Sequence, residues 1–344
     1  MEHQSYFHWL VDKTPTTWWH DSGDIEELEQ ALVLHASGAT TNPVLAAQAL
    51  HGRPDYWRAS VQALPEDLDG EARIEAMMRI VVTEVADRLL PIYQRTGGRQ
   101  GYACAQVNPS RAGDREAMLL QARRFHQWAP NISIKLPVTA AGLDVLEECA
   151  AEGFTTTMTV SYTVPQVLAA AERFERGLSR ALEANKPTPR CFPVVMIGRL
   201  DDYLREVSAD QKAGVTEEDI RQSGLAVVKR AFGMFKERGY RAVLIIAALR
   251  GIYHMTELAG ADLIMSVHPN NQVKILSPGV PREQRIDLPI SDEVISRLER
   301  MPEFVKAYEP EGMQPEEFIT YGVTQRTLSQ FTEIGWKSLQ NMTI

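Results

Sequence analysis

The 344-residue chain predicts a closed (β/α)8 barrel with added helices, one of them C-terminal, folded as a single domain over 1–344. Three observations carry this expectation. Short apolar, β-branched segments alternate with amphipathic helical patterns, the signature of parallel strands joined by crossover helices. There are eight such segments, at 16–20, 38–41, 102–107, 132–136, 155–160, 192–197, 241–248 and 262–267. No G-x-G-x-x-G turn follows any of them, so an open dinucleotide-binding sheet lacks its main support.

The first strand, 16–20, runs into Asp21-Ser22-Gly23-Asp24, where Ser22 or Asp24 caps a helix over 25–34. The second ends in Thr40-Thr41-Asn42-Pro43, which reads as strand, turn and a helix with proline in its first position. A long helical stretch, 65–95, then precedes the third strand. Helical patterns at 114–127 and 140–152 follow the third and fourth strands, and 165–176 follows the fifth. The pattern at 217–238 leads into the seventh. Barrels of this type need roughly 250 residues, so 65–95 and the tail 315–344, with a helix near 330–339, are the additions. Neither repeats nor low-complexity linkers interrupt the chain.

Bulk properties narrow the function. Hydrophobic residues make up 44% of the chain, yet no run approaches the roughly 18 uncharged apolar residues of a membrane span. The start of the chain lacks the basic-then-apolar order of a secretory leader. Three widely separated cysteines, Cys104, Cys149 and Cys191, suit free thiols in a reducing, cytoplasmic setting. On that reading the glycosylation sequons at Asn131 and Asn341 are chance matches. A formal charge of −9 argues against nucleic-acid or anionic-membrane partners. An anionic small molecule stays compatible, because two well-aimed arginines hold a phosphate even in an acidic protein. A homo-oligomer is open, since no face of the sequence marks an interface.

The fourth strand, Asn131-Ile-Ser-Ile-Lys-Leu-Pro-Val-Thr139, sets the central question. Ile132, Ile134 and Leu136 alternate toward one face and leave Lys135 on the other. In a strand buried on both sides that ammonium is costly unless paired or neutralised. The same barrel mouth collects the other polar residues at strand ends: Asp21, Asn42, Gln106, Thr157 with Thr159, Arg199 and Arg250. A desolvated lysine has a lowered pKa, and its neutral amine can attack a carbonyl to form a Schiff base, an electron sink beside which carbon–carbon bonds break or form. Each residue also has a plainer reading. Lys135 can be a solvated edge residue, Asp21 part of a helix start, and Thr155 to Thr159 simple β-propensity. Arg199 and Arg250 can pair with acids such as Asp201 or Glu257.

In order along the chain these segments resemble the transaldolase family, Schiff-base enzymes on a (β/α)8 barrel that use no metal or organic cofactor. His20-Asp21-Ser22-Gly23-Asp24-Ile25 resembles the first-strand aspartate motif, and Ala39-Thr40-Thr41-Asn42-Pro43 matches the most diagnostic signature. Ile134-Lys135-Leu136-Pro137-Val138-Thr139 resembles the lysine segment, Gly153 to Thr159 the fifth strand, and Ile197-Gly198-Arg199 and Leu249-Arg250 the two phosphate-binding segments. The resemblance runs from about Thr16 to Pro269, with a C-terminal helix similar in kind. It implies a phosphorylated sugar substrate and an imine on Lys135. It further implies proton transfer assisted by Asp21, substrate hydroxyls bound by Asn42 beside Thr157, and a water held by Thr159. Arg199 and Arg250 would form the phosphate clamp.

Departures from the family pattern cluster on the same strands. Gln106 stands where transaldolases carry a glutamate; an amide orients water but does not take its proton. Fructose-6-phosphate aldolases also carry glutamine there and compensate with a tyrosine, but the matching position here is Met196. Val194 and Ala248 stand in place of serines, and Thr157 in place of an asparagine. Tyr162 is the nearest phenol along the chain, as a replacement proton carrier or as a helix-packing aromatic. Three functions follow as expectations: transfer of a dihydroxyacetone unit between sugar phosphates, aldolase-like cleavage of a fructose 6-phosphate-like sugar, or non-catalytic sugar-phosphate binding.

Overall fold

Eight parallel strands close on themselves in chain order: β1 (Thr17–His20), β2 (Gly38–Ala39), β3 (Tyr102–Gln106), β4 (Ile132–Pro137), β5 (Thr156–Thr159), β6 (Cys191–Val195), β7 (Ile245–Ile246) and β8 (Ile264–Val267). β8 pairs back onto β1 from Thr17↔Ile264 to His20↔Val267, so the protein is a (β/α)8 barrel. The computed structural model describes residues 5–340, 342 and 343. The first four residues, where the leader reading begins, and the sequon at Asn341 lie outside the described residues. Among the described residues no helix is long and apolar enough to cross a membrane.

Local chemistry sets the elements. Asp24 caps helix Ile25–Val33 by accepting from Glu27 N at 3.0 Å, and Ser22 Oγ accepts from Asp24 N and donates to the Glu27 carboxylate at 2.7 Å. Both capping candidates therefore contribute. Asn42 caps helix Pro43–Gly52, with Pro43 in its first turn. The additions include helix Tyr6–Lys13 before β1, helices Pro54–Gln62 and Gly70–Arg95 before β3, helices Asp292–Leu298 and Pro302–Tyr308 after β8, and a tail of helix Gly322–Gln330, a π-helical turn Phe331–Trp336 and helix Lys337–Gln340.

Two expectations need correction. The sixth segment was expected to run as strand to 197, but β6 stops at Val195 and residue 197 opens helix Ile197–Gln211. Ile197, Leu200 and Leu204 are all fully buried at helical spacing, a pattern that identifies this helix in the sequence. The seventh segment, expected over 241–248, contains only two residues of formal strand. Its backbone still joins the wall: Val243 N donates to Cys191 O, Ala247 N to Val195 O, and Leu244 O accepts from Ile264 N. Ala248 then turns the chain away with φ +58°.

The barrel interior is packed in layers. Trp19 and Tyr102 both pack edge-on against Phe192 low in the barrel. Above them Cys104, Ser133 and Thr157 form a hydrogen-bonded layer. Register then sets Gln106 beside Lys135.

Candidate active site

The C-terminal ends of the strands enclose a cavity of about 100 Å³, walled by Asp21, Thr40, Asn42, Lys135, Thr159, Val194, Met196, Arg199, Ala247, Ala248, Ser266 and Phe331. Five of the eight site residues expected from sequence meet there: Asp21, Asn42, Lys135, Thr159 and Arg199. Larger surface clefts lie elsewhere, such as that beside helix Gly70–Arg95, but they lack this convergence of strand-end polar groups.

Lys135 is 6% exposed, and among the described residues the one hydrogen bond of its Nζ is to Thr41 O at 3.1 Å. Burial pushes its pKa below the usual lysine value of 10.5, and the nearby Arg199 adds to this, while Cys104 and Asp21 act in the opposite sense. The solvated-edge reading of this lysine is therefore wrong: β4 lies between β3 and β5 with every residue buried. An ammonium carries three donors, so this group is under-satisfied as a cation and suited to be a neutral amine.

Asp21 lies just beyond β1. Its Oδ1 accepts from Thr40 Oγ1 at 2.6 Å, and Thr40 Oγ1 lies 2.6 Å from Ser266 Oγ. Asn42 is half spent: its Oδ1 accepts from Val44 N and Leu45 N, which leaves the Nδ2 donors for the cavity. Thr159 Oγ1 lies 3.9 Å from Met196 Sδ. Gln106 is buried at the level of Lys135 and does not line the cavity, and among the described residues its Oε1 has no hydrogen-bond partner.

Thr157 has the expected inward parity but sits one layer too deep. It bonds Ser133 Oγ at 2.7 Å and contacts Cys104 Sγ at 3.5 Å rather than facing the cavity. The arginines differ from each other. Arg199 lines the cavity, makes no salt bridge among the described residues, and has its pKa lowered by burial and by the charge of Arg250. Arg250 is exposed on the rim, with Nε 2.7 Å from Asp202 Oδ2 and Nη1 2.9 Å from Ala248 O. The acids offered as partners are engaged elsewhere: Asp201 with His254, Ser223 and Gly224 N, and Glu257 with Arg285. A side chain at Gly198 would meet Ala248 O at 2.2 Å, so glycine is what lets the β6 and β7 loops touch where they carry Arg199 and Arg250.

Tyr162 is the helix-packing aromatic, not a replacement proton carrier. It is fully buried with its hydroxyl directed at Val323 O in the C-terminal helix, and burial raises its pKa well above the usual phenol range. His20 is also held away from the cavity; burial lowers its pKa to about 4 and Gln272 Nε2 lies 2.9 Å from its Nδ1. Asp21 is thus the carboxylate on the cavity wall.

Sequence reading missed Thr40, Ser266 and Phe331 as wall residues. Thr40 lies inside the quoted second-strand motif, and Ser266 occupies an inward position on β8, so both had a signal. Phe331 had none. It reaches the mouth because the C-terminal π-helical turn docks on helix Pro43–Gly52, so closely that a side chain at Gly335 would meet Val44 N at 2.7 Å. The Arg199 guanidinium lies 5.4 Å from the Phe331 ring centroid. Among the described residues no group of three His, Cys, Asp or Glu side chains is arranged to hold a metal ion.

This geometry can be set beside known proteins. A family model described as Transaldolase/Fructose-6-phosphate aldolase matches residues 18–317. A Transaldolase of Neisseria gonorrhoeae is 26% identical over 265 residues, covering 72% of this chain and 74% of its own. A Transaldolase of Thiobacillus denitrificans is 26% identical over 300 residues, covering 83% and 81%. A Probable transaldolase of Dehalococcoides mccartyi is 28% identical over 279 residues, covering 81% and 94%. With its barrel, its strand-end lysine and a family match along most of its length, the chain belongs to the transaldolase/fructose-6-phosphate aldolase family.

Proposed function

We propose that the protein is a Schiff-base enzyme that moves a short ketol unit, of the dihydroxyacetone type, between phosphorylated sugars through an imine on Lys135. The observation that carries this reading is the buried amine of Lys135, with one hydrogen bond among the described residues, in a strand-end cavity that it shares with Asp21. The neutral amine attacks the ketone carbon, and loss of water gives an iminium ion. The bond beside that carbon then breaks, its electron pair entering the iminium to leave an enamine. Asp21 takes the proton released from the sugar hydroxyl and returns it when a second aldehyde is attacked. Thr159, on the cavity wall, orients the water that leaves and re-enters at the imine carbon, and Gln106 stands beside Lys135 without lining the cavity. Asn42 Nδ2 binds substrate hydroxyls, and Arg199, backed by Arg250 on the rim, holds the phosphate. Thr157 supports Lys135 from the layer beneath.

The test is chemical trapping. The protein is incubated with fructose 6-phosphate or dihydroxyacetone, reduced with borohydride, and mapped by mass spectrometry; an adduct is expected on Lys135, and its absence with every ketose tried defeats the reading. Added erythrose 4-phosphate must then yield sedoheptulose 7-phosphate if the unit is transferred. A second reading, cleavage of a fructose 6-phosphate-like sugar with release of free dihydroxyacetone, is favoured by Gln106 in place of a glutamate and is scored by release without any acceptor. The three free, buried cysteines accord with a reducing, cytoplasmic compartment.

A further inference from the structure

Among the residues that wall the cavity Asp21 is the one carboxylate, and two hydroxyls are strung from it. Register sets β8, β1 and β2 side by side, with Trp19↔Ser266, His20↔Val267 and His20↔Ala39. Ser266, Asp21 and Thr40 therefore reach the mouth from three adjacent strand ends, and all three line the cavity. Ser266 and Thr40 are only 1% and 2% exposed, so bulk water does not compete for their protons. Thr40 Oγ1 lies 2.6 Å from Asp21 Oδ1 and 2.6 Å from Ser266 Oγ.

Proton counting fixes the direction of these bonds. An ionised carboxylate only accepts, and each hydroxyl has one proton to give. Thr40 gives its proton to Asp21 Oδ1, since its other acceptor, His20 O, is 3.5 Å away. The contact with Ser266 is then made by the Ser266 proton, which leaves Ser266 Oγ as an acceptor toward the cavity. Both bonds point at the carboxylate, the direction in which a proton released in the cavity has to travel. The rest of the wall offers no such path. Arg199 is a guanidinium and takes no proton, Lys135 is committed to the imine, and the Thr159 hydroxyl lies against Met196 Sδ at 3.9 Å.

We propose that Ser266 is a catalytic residue, whose hydroxyl takes the proton of the reacting substrate hydroxyl and relays it through Thr40 to Asp21. This rests on the Lys135 imine and supplies its proton path. In the cleaving direction the substrate O–H bond breaks as its proton binds Ser266 Oγ. The proton that Ser266 held passes to Thr40 Oγ1, and the one that Thr40 held passes to Asp21 Oδ1. The electron pair left on the substrate oxygen forms the aldehyde carbonyl, and the pair of the broken carbon–carbon bond enters the iminium to give the enamine. Three protons each move one place. Both hydroxyls end as hydroxyls, the carboxylate becomes a carboxylic acid, and the iminium loses its charge. Attack on a second aldehyde runs the same chain in reverse.

The test uses the full-length protein and follows single-turnover release of glyceraldehyde 3-phosphate from fructose 6-phosphate. Ser266→Ala and Thr40→Val each break the chain, and each is expected to slow release by about 100-fold while dihydroxyacetone still gives the borohydride adduct on Lys135. One break stops the relay, so the double variant is expected to be no slower than the slower single variant. In mixtures of light and heavy water the parent rate is expected to follow a curve, the mark of several protons moving together, and Ser266→Ala a straight line. Release at the parent rate by Ser266→Ala overturns the proposal, because Asp21 then takes the proton directly through Oδ2. Losses that multiply in the double variant, or a straight line for the parent, overturn it as well. An adduct on Lys135 with no glyceraldehyde 3-phosphate overturns the relay and leaves the imine intact, and no adduct from any ketose removes both.

Discussion

Replacing Lys135 by Met is expected to abolish the borohydride adduct and, at the same time, to stabilise the fold. Met keeps the unbranched length without the charge. In the folded protein the amine is 6% exposed with one acceptor, Thr41 O at 3.1 Å, and no salt bridge among the described residues. Relieving an under-satisfied buried cation is worth about 1–3 kcal/mol. Unfolding entropy of roughly 2.1 cal/mol/K per residue gives about 0.7 kcal/mol/K for 344 residues, so Tm should rise by about 1–4 °C.

The gain should depend on pH with a definite sign. Burial lowers the folded-state pKa of Lys135 below 10.5, so the unfolded chain holds the proton to higher pH than the folded one. The stability of the lysine protein therefore rises with pH across that interval, relative to the methionine variant. The advantage of Met is full below the folded-state pKa and fades as pH passes 10.5. Paired calorimetric scans from about pH 7 to about pH 11 measure the difference directly. A variant that melts lower than the parent at neutral pH, or a gap that ignores pH, would refute the reasoning. Lys135 would then be a satisfied cation, with no amine to offer a carbonyl.

Three further substitutions probe the site. Asp21→Asn should keep the Lys135 adduct but slow carbon–carbon exchange by about 10²- to 10⁴-fold, read as the ratio of trapping yield to turnover. Arg199→Met removes the cation on the cavity wall; KM for a phosphorylated ketose should rise by about 10- to 100-fold, the worth of a charge-assisted contact, while trapping of unphosphorylated dihydroxyacetone holds. Gly198→Ala sets a methyl against Ala248 O, where an ideal Cβ lies 2.2 Å away. It should cost about 1–3 kcal/mol by overpacking, seen as a lower Tm in thermal scans.

The barrel was legible because its evidence is local. Each βα unit buries a strand on both faces and a helix on one, so eight alternations suffice to identify it. The meeting of Asp21, Asn42, Lys135, Thr159 and Arg199 followed, since strand ends in a parallel barrel share one mouth. Depth was not legible: period-two parity turns Thr157 inward but does not say in which layer it lies. Nor was the partner of Arg250. Asp201 and Asp202 are neighbours about 100° apart around a helix, so one turns inward to His254 and the other outward to Arg250. Phe331 was hidden most completely, because the tail that carries it is placed by packing against helix Pro43–Gly52, far away in sequence.

Three kinds of stability cost meet at the level where chemistry is expected. One layer down, the hydroxyls of Ser133 and Thr157 bond each other at 2.7 Å. At the level of Lys135, among the described residues, Gln106 Oε1 has no partner and the amine has one. Just above, Val160 and Ala248 hold φ of +55° and +58°, where a β-branched residue pays most. Strain, an orphan acceptor and an underpaired amine could each be a defect of an ordinary core. Orphan atoms such as Asn131 Oδ1 and positive φ such as that of Asn185 also occur away from the cavity; what marks the site is that strain, an orphan acceptor and an underpaired amine meet there, above hydroxyls that satisfy each other. Ser133→Ala, below the boundary, should therefore weaken the fold and keep the adduct, the reverse of what is expected of Lys135→Met.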